Sequence, residues 1–84
     1  MPGDAESPEV AMERWQLVRA VHEAIARLEP LYREVIILRD LEGMSAAETS
    51  EALGIAEAAM KTRLHRARRM LRSELERPAR LRAM

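Results

Sequence analysis

The sequence contains no cysteine and no phenylalanine, and it has only two histidines, at positions 22 and 65. A disulfide framework and a thiolate metal site are therefore excluded, and no metal or other cofactor is expected. The longest aliphatic run, Val35 to Leu38, is far shorter than the roughly 20 residues that cross a bilayer. We therefore expect a cytoplasmic protein that does not associate with membranes.

The residues that are present favour helices. Aromatic residues make up 2% of the 84-residue chain, whereas Ala, Leu, Glu and Arg are abundant, which predicts an all-α fold in one small domain. No glycine-rich phosphate loop and no nucleophile beside a base is visible, so neither an enzyme nor a small-molecule substrate is expected. The predicted organisation is a flexible leader over residues 1–8, a folded domain over 9–76 and a flexible tail over 77–84.

The formal net charge of zero conceals an uneven distribution along the chain. Residues 1 to 56 carry five basic and eleven acidic side chains, a net charge of −6, whereas residues 57 to 84 carry nine and three, a net charge of +6. An anionic polymer responds to the local field within a Debye length of about 8 to 10 Å rather than to the total charge. The C-terminal third is therefore expected to act as a basic module.

Helix-end signals divide the folded domain into four helices. Pro30 suits the first turn of a helix, and Gly43 and Gly54 supply the left-handed conformation that ends one. Ser45 and Glu48 have the spacing of a capping box. The four predicted helices run from Glu9 to about Leu28, from Pro30 up to Gly43, from Ser45 to about Leu53, and from about Glu57 to about Glu76.

Two expectations concern the core. A wide aliphatic stripe predicts that the second helix is the most buried element. The stripe consists of Leu31, Val35, Ile36, Ile37, Leu38 and Leu41. Trp15, the only tryptophan, is expected to anchor or cover the core, with the alternative that an exposed Trp15 binds a partner.

A helical wheel separates the fourth helix into an apolar side and a cationic side. The apolar stripe consists of Met60, Leu64, Ala67, Leu71 and Leu75. The opposite face consists of Thr62, His65, Arg66 and Arg69. Lys61, Arg68 and Arg72 line one flank, and Arg63 lies on the other.

A short capped helix, a glycine turn and a basic second helix form the pattern of a helix-turn-helix, whose second helix enters the major groove of DNA. The planar guanidinium of Arg matches guanine O6 and N7 or a phosphate, and Thr can donate to or accept from either. Flanking cations can bind phosphates while the central face reads bases. The alternative is an ordinary solvated surface, because Arg-rich amphipathic helices are common.

Three stretches, LEPLYREVIILRDLEGMS, ETSEALGI and above all MKTRLHRARRML, are similar to a known family. Between Leu28 and Leu75 the chain resembles region 4, the C-terminal promoter-binding domain of bacterial sigma-70 family factors, especially the extracytoplasmic-function (ECF) group. The resemblance implies a domain of an alternative sigma factor that recognises the minus-35 element of promoter duplex DNA. It also implies docking on the beta flap of RNA polymerase, which the factor directs to initiate transcription.

The same resemblance, together with the charge pattern, assigns roles to individual positions. The residues expected to read bases are Lys61, Thr62, His65 and Arg66. The residues expected to contact phosphates are Ser45, Arg63, Arg68, Arg69 and Arg72. Tyr32, Val35 and Ile36 are expected in the core, with the alternative that this surface receives the polymerase flap or an inhibitory anti-sigma factor.

Two positions depart from the usual pattern of the family. Thr49 stands where Ile is usual, so its hydroxyl must either bond a nearby carbonyl or weaken the core by about 1 to 3 kcal/mol. Ala59 stands where a Thr is often found, so the fourth helix lacks a hydroxyl for capping or for phosphate.

Two alternative functions stay open. The domain could be a protein-interaction module, bound by an anti-sigma factor or the polymerase flap, with little DNA affinity of its own, since a single module buries only about 600 to 1,000 Å² on DNA. It could also be the DNA-binding end of another helix-turn-helix regulator.

Overall fold

The structure, a computed structural model, describes residues 7–77, which begin with a long helix. In α1 (Pro8–Ala26) the Ser7 hydroxyl accepts from the Val10 amide at 3.2 Å, and proline occupies the first turn, where its missing N–H is no loss. The predicted first helix is thus found with its ends shifted by one or two residues. The last two residues of the predicted leader belong to this helix start, and residues 1–6 lie outside the described residues.

The second helix differs from its prediction. α2 (Pro30–Ile36) is only seven residues long and continues into a π-helical segment, Ile37–Leu41. The Glu42 amide donates to the Ile37 carbonyl at 2.8 Å, five residues back instead of four, which inserts one residue into the turn. Gly43 then takes the left-handed conformation, with a φ of 70°. The prediction of one continuous α-helix up to Gly43 is therefore wrong.

Burial along this element also differs from the prediction. Val35 and Ile36 are 0% and 1% exposed, but Leu31 and Leu41, at the two ends of the predicted stripe, are 46% and 47% exposed. Leu41 lies at the end of the π-helical segment, away from the buried positions. The stripe is buried only in its centre.

The two C-terminal helices lie where the sequence predicts them. α3 spans Ala46–Leu53 and α4 spans Glu57–Glu76, after which the backbone of Arg77 is extended, as expected for a residue that precedes proline. No strand is found between residues 7 and 77, and the all-α fold class is confirmed. Of the predicted tail, residues 78–84 lie outside the described residues.

α4 forms the common wall of the core. It packs against α1, α2 and α3. The buried cluster consists of Ile25, Leu28, Val35, Ile36, Met60, Leu64 and Ala67. Met60 is 0% exposed, and burying a side chain of this size contributes about 1.5 to 3 kcal/mol. The orientation of α4 is therefore fixed by apolar contacts with three neighbouring helices.

The N-terminal half of α1 contributes no buried side chain. Its large apolar residues are exposed, with Val10 at 46% and Leu17 at 63%. Trp15 is 57% exposed, so the expectation that it anchors or covers the core is wrong.

Candidate nucleic-acid interface

α3 begins with a reciprocal cap. The Ser45 hydroxyl accepts from the Glu48 amide at 3.0 Å, and the Glu48 carboxylate accepts from the Ser45 amide at 2.8 Å, which is the predicted capping box. Hydrogen bonding to Ser45 lowers the pKa of Glu48 below its ordinary value of 4.5. The larger contribution comes from the Ser45 amide, and the smaller one from the Ser45 side chain. Ser45, a predicted phosphate contact, is exposed, but its amide is already used in the cap.

The turn between α3 and α4 is closed by Gly54, whose φ of 70° lies in the left-handed region. The amides of Gly54 and Ile55 donate to the carbonyls of Glu51 and Ser50 at 3.2 and 3.1 Å, which satisfies the free end of α3. Half-buried Ile55 then packs against the core. The glycine turn therefore sets the direction in which α4 starts.

α4 begins without a side-chain cap. Ala56 occupies the cap position in an extended conformation, and Glu57 follows in the first turn, where a negative charge favours the helix end. Ala59 is exposed one turn further on and carries no hydroxyl. The first amides of α4 are therefore left without a side-chain acceptor.

The two sides of α4 are separated as the wheel predicts. Met60, Leu64 and Ala67 are buried. The exposed polar residues are Lys61, Thr62, His65, Arg66, Arg69 and Arg72. Within the range 7–77, the side chains of His65, Arg66, Arg69 and Arg72 make no hydrogen bond or ion pair. These four side chains are available to a ligand.

Two of the predicted base-reading residues are already engaged within α4. The Thr62 hydroxyl donates to the Ala58 carbonyl at 3.2 Å, so its oxygen is left as an acceptor. The Lys61 ammonium lies 3.4 Å from the Glu57 carboxylate in an exposed ion pair. Such pairs contribute little free energy, and a phosphate or base can replace the carboxylate.

Arg68 and Arg63 are placed differently from the other cations. Arg68 donates from Nη2 and Nε to the two carboxylate oxygens of Asp40 at 2.6 and 3.0 Å, and this hydrogen bonding raises the pKa of the guanidinium. The predicted phosphate contact of Arg68 therefore competes with an ion pair inside the domain. Arg63 is half-buried and lines a recess with Leu31 and Tyr32.

The predicted partner residues lie mostly inside the protein. Val35 and Ile36 belong to the buried cluster, as expected of core residues, so a partner cannot contact them directly while the core is intact. Tyr32 is half-buried and packs against the same cluster.

An apolar groove that the sequence did not single out lies between the second helix and α3. Its volume is about 350 Å³, and it is lined by Glu34, Ile37, Leu38, Ala52 and Leu53. Leu53 is the residue before the glycine turn, so the groove adjoins the helix-turn-helix. One feature of the sequence could have indicated this groove: the predicted second helix has more aliphatic residues than a single buried face can contain.

The structure offers no metal centre in the range 7–77, where no three His, Cys, Asp or Glu side chains are grouped to hold an ion. His65 lies on α4, and His22 lies on α1 with its Nδ1 2.8 Å from the Val18 carbonyl oxygen. None of the described helices has the length and apolar character needed to cross a membrane.

Capped α3, the Gly54 turn and basic α4 together define the class of the protein as a helix-turn-helix domain. The family model described as sigma-70, region 4, matches residues 18–71, and the chain belongs to this family. The match covers α3 and α4 as far as Leu71, together with α2, the π-helical segment and the C-terminal half of α1.

The relatives are RNA polymerase sigma factors, several of them of the ECF group. The chain is 36% identical over 72 residues to the ECF RNA polymerase sigma factor SigW of Bacillus subtilis, a match that covers 86% of this chain and 38% of that protein. It is 49% identical over 49 residues to the RNA polymerase sigma-E factor of Streptomyces avermitilis, which covers 58% and 27% of the two chains. The predicted resemblance to ECF sigma factors is confirmed, and the chain spans about a third of the length of these relatives.

A solved structure of an RsbN–BldN complex contains a chain with the same fold. The superposition has a TM-score of 0.64 at 37% sequence identity and covers 76% of this chain and 49% of that chain. BldN of Streptomyces coelicolor is itself an ECF RNA polymerase sigma factor, 44% identical over 52 residues.

Proposed function

We propose that this domain binds the minus-35 element of promoter duplex DNA, as part of an ECF sigma factor that directs RNA polymerase to initiate transcription. The observation that carries the proposal is the geometry of α4. Its buried side is fixed by the core, and its exposed side presents Thr62, His65 and Arg66 in the helix that follows the glycine turn. A helix held in this way can enter the major groove with its N-terminal half facing the bases. The role needs no catalytic group.

The exposed α4 side chains that have no partner within residues 7–77 can make two kinds of contact with DNA. Arg66 can donate two hydrogen bonds to guanine O6 and N7, and a good bidentate pair contributes about 1 to 3 kcal/mol of discrimination. Arg69 and Arg72, further along the helix, are suited to phosphates. Each phosphate that such a cation neutralises changes the slope of log affinity against log salt by about 0.9.

Arg66→Ala tests the base-reading role. The duplex is enriched from a random library by binding to the wild-type chain, and fluorescence anisotropy then measures its affinity and that of a random duplex at two salt concentrations. We expect the variant to lose about 1 to 3 kcal/mol on the enriched duplex and much less on the random one.

Arg19→Ala is the matched control, because it removes the same charge from α1. Arg19 is exposed and, among residues 7–77, pairs with Glu23, four residues away on the same helix. We expect its loss to affect both duplexes little. Equal losses on both duplexes for Arg66→Ala would remove Arg66 from base reading, and no loss beyond the control would refute the proposed interface.

The apolar groove supports a second candidate function, that of a protein-interaction module. A groove lined by Ile37, Leu38 and Leu53 is suited to the apolar face of an amphipathic helix. Two candidate partners are the beta flap of RNA polymerase and an anti-sigma factor, and the similar chain from the RsbN–BldN complex favours a protein partner of this kind. Binding to either partner would take place in the cytoplasm.

Ala52→Glu tests this candidate, because Ala52 lines the groove but is exposed, so a charge there obstructs a partner without disturbing the core. Ala47→Glu is the control, an exposed alanine in the first turn of the same helix. We expect only Ala52→Glu to weaken binding of a flap peptide in a titration followed by calorimetry. Equal binding by the two variants would exclude the groove.

A further inference from the structure

The π-helical segment is connected to both helices of the helix-turn-helix by two neighbouring side chains. The Arg39 Nη1 donates to the Met44 carbonyl at 2.6 Å, and Met44 directly precedes the cap of α3. Asp40 accepts two hydrogen bonds from Arg68, which lies in the middle of α4. Consecutive residues therefore tie the segment to the start of one helix and to the centre of the other. π-Helical turns occur frequently at functional sites.

The Asp40–Arg68 pair is better suited to fixing the angle between the π-helical segment and α4 than to stabilising the fold. The two side chains are 33% and 52% exposed, so solvent screens their attraction and the gain in free energy is small. The paired oxygens and nitrogens nevertheless fix both the distance and the rotation between the two groups. Arg68 is two residues after Arg66, so a rotation of α4 that breaks this pair also moves the exposed face.

We infer that Asp40 is a positioning residue for DNA recognition. Its carboxylate, carried by the π-helical segment, holds Arg68 and sets the angle at which the exposed face of α4 meets the major groove. Asp40 does not touch DNA, and Arg68 belongs to the framework of the motif instead of to the phosphate contacts. The inference rests on the proposed function.

The two roles of Arg68 predict different results for Asp40→Asn, which removes the charge and keeps the shape. If Arg68 were a phosphate ligand restrained by Asp40, the variant would bind every duplex more tightly and its preference would not change. If Asp40 positions α4, the ratio of the affinities for enriched and random duplexes falls about three- to tenfold. The ratio is the right quantity because the loss of one negative charge strengthens binding to all sequences alike.

Glu42→Gln is the matched control, since it removes one exposed acid just after the same segment. We expect its affinity ratio to equal that of the wild-type chain. Asp40→Glu retains a carboxylate, so its affinity ratio should lie between those of Asp40→Asn and the wild-type chain. An Asp40→Asn ratio equal to that of the control would overturn the inference.

Arg68→Ala completes a double-mutant cycle. We expect Arg68→Ala to lower the affinity ratio as Asp40→Asn does, while its salt slope stays unchanged. The affinity ratio of the double variant should be no lower than that of either single variant. A salt slope reduced by about 1 together with an unchanged ratio would make Arg68 a phosphate ligand and overturn the inference.

Nuclear magnetic resonance separates this inference from the proposed function. A wild-type chain that prefers no duplex would refute the proposed function, but the positioning role would still be measurable. We then expect Asp40→Asn, and not Glu42→Gln, to shift the amide resonances of α4 from Thr62 to Arg66 and the Nε–H resonance of Arg68. Shifts confined to the immediate neighbours of residue 40 would overturn the positioning role.

Discussion

Replacing Thr49 by Val changes the one polar side chain that is fully buried among the described residues. Thr49 is 0% exposed, and its hydroxyl donates to the Ser45 carbonyl at 2.8 Å. Of the two outcomes that the sequence allowed, a bond to a nearby carbonyl or a weakened core, the structure shows the first. The Ser45 carbonyl also accepts from the Thr49 amide at 2.9 Å, so it keeps a partner when the hydroxyl is removed.

The magnitude follows from two opposing contributions. The hydroxyl hydrogen bond contributes about 0.5 to 1.5 kcal/mol net. The methyl group that replaces the hydroxyl in Thr49→Val returns about 0.8 kcal/mol through burial. We therefore expect the free energy of unfolding to change by less than about 0.7 kcal/mol. Thr49→Ser keeps the hydroxyl but removes a buried methyl group, and it should lose about 0.5 to 1.5 kcal/mol.

Urea unfolding followed by far-ultraviolet circular dichroism measures both variants against the wild-type chain. The dependence of the free energy on urea should be the same in all three, because the exposed surface hardly differs. In a thermal melt, a loss of 1 kcal/mol lowers Tm by about 4 to 8 °C in a domain of this size. A larger loss for Thr49→Val than for Thr49→Ser would refute the reasoning, because the hydroxyl would then matter more than the packing.

Two further predictions concern the ends of α3. Because the pKa of Glu48 is lowered in the folded state, its cap stabilises the fold above the ordinary value of 4.5 and loses this effect as the pH falls through the lowered folded value. Acid titrations should therefore show a steeper loss of stability for the wild-type chain than for Glu48→Gln, and parallel curves would contradict the assignment. Gly54→Ala should lower the free energy of unfolding by about 1 to 2 kcal/mol, because φ is 70° while no atom lies within 4 Å of an added Cβ. A urea titration that finds no loss would show that the turn relaxes.

The boundaries of α3 were predictable because local chemistry decides them. The cap of Ser45 with Glu48 and the left-handed Gly54 depend on neighbours within five residues, which the sequence displays directly. The separation of α4 into a buried and an exposed side follows from its period, and Met60 and Arg66 lie where that period puts them. For the same reason most of the candidate interface could be named from the sequence.

The features that the sequence left open depend on more than local spacing. A π-helical turn and an α-helix fit the same run of aliphatic residues, so the pattern from Leu31 to Leu41 could not distinguish them. The ion pair between Asp40 and Arg68 joins residues 28 positions apart, and no local sequence pattern predicts it. The role of Val35 depended on which of several apolar faces meets α4, which only the packing decides.

The exposed indole of Trp15 gives the protein an optical reporter of its own. It is the only tryptophan in the chain, and it lies in a half of α1 that contributes nothing to the core. Its fluorescence should therefore resemble that of an indole in water and change little when the core unfolds. A macromolecule that covers this end of α1 would shift the emission to shorter wavelengths. Its binding could therefore be followed by intrinsic fluorescence, without an added dye.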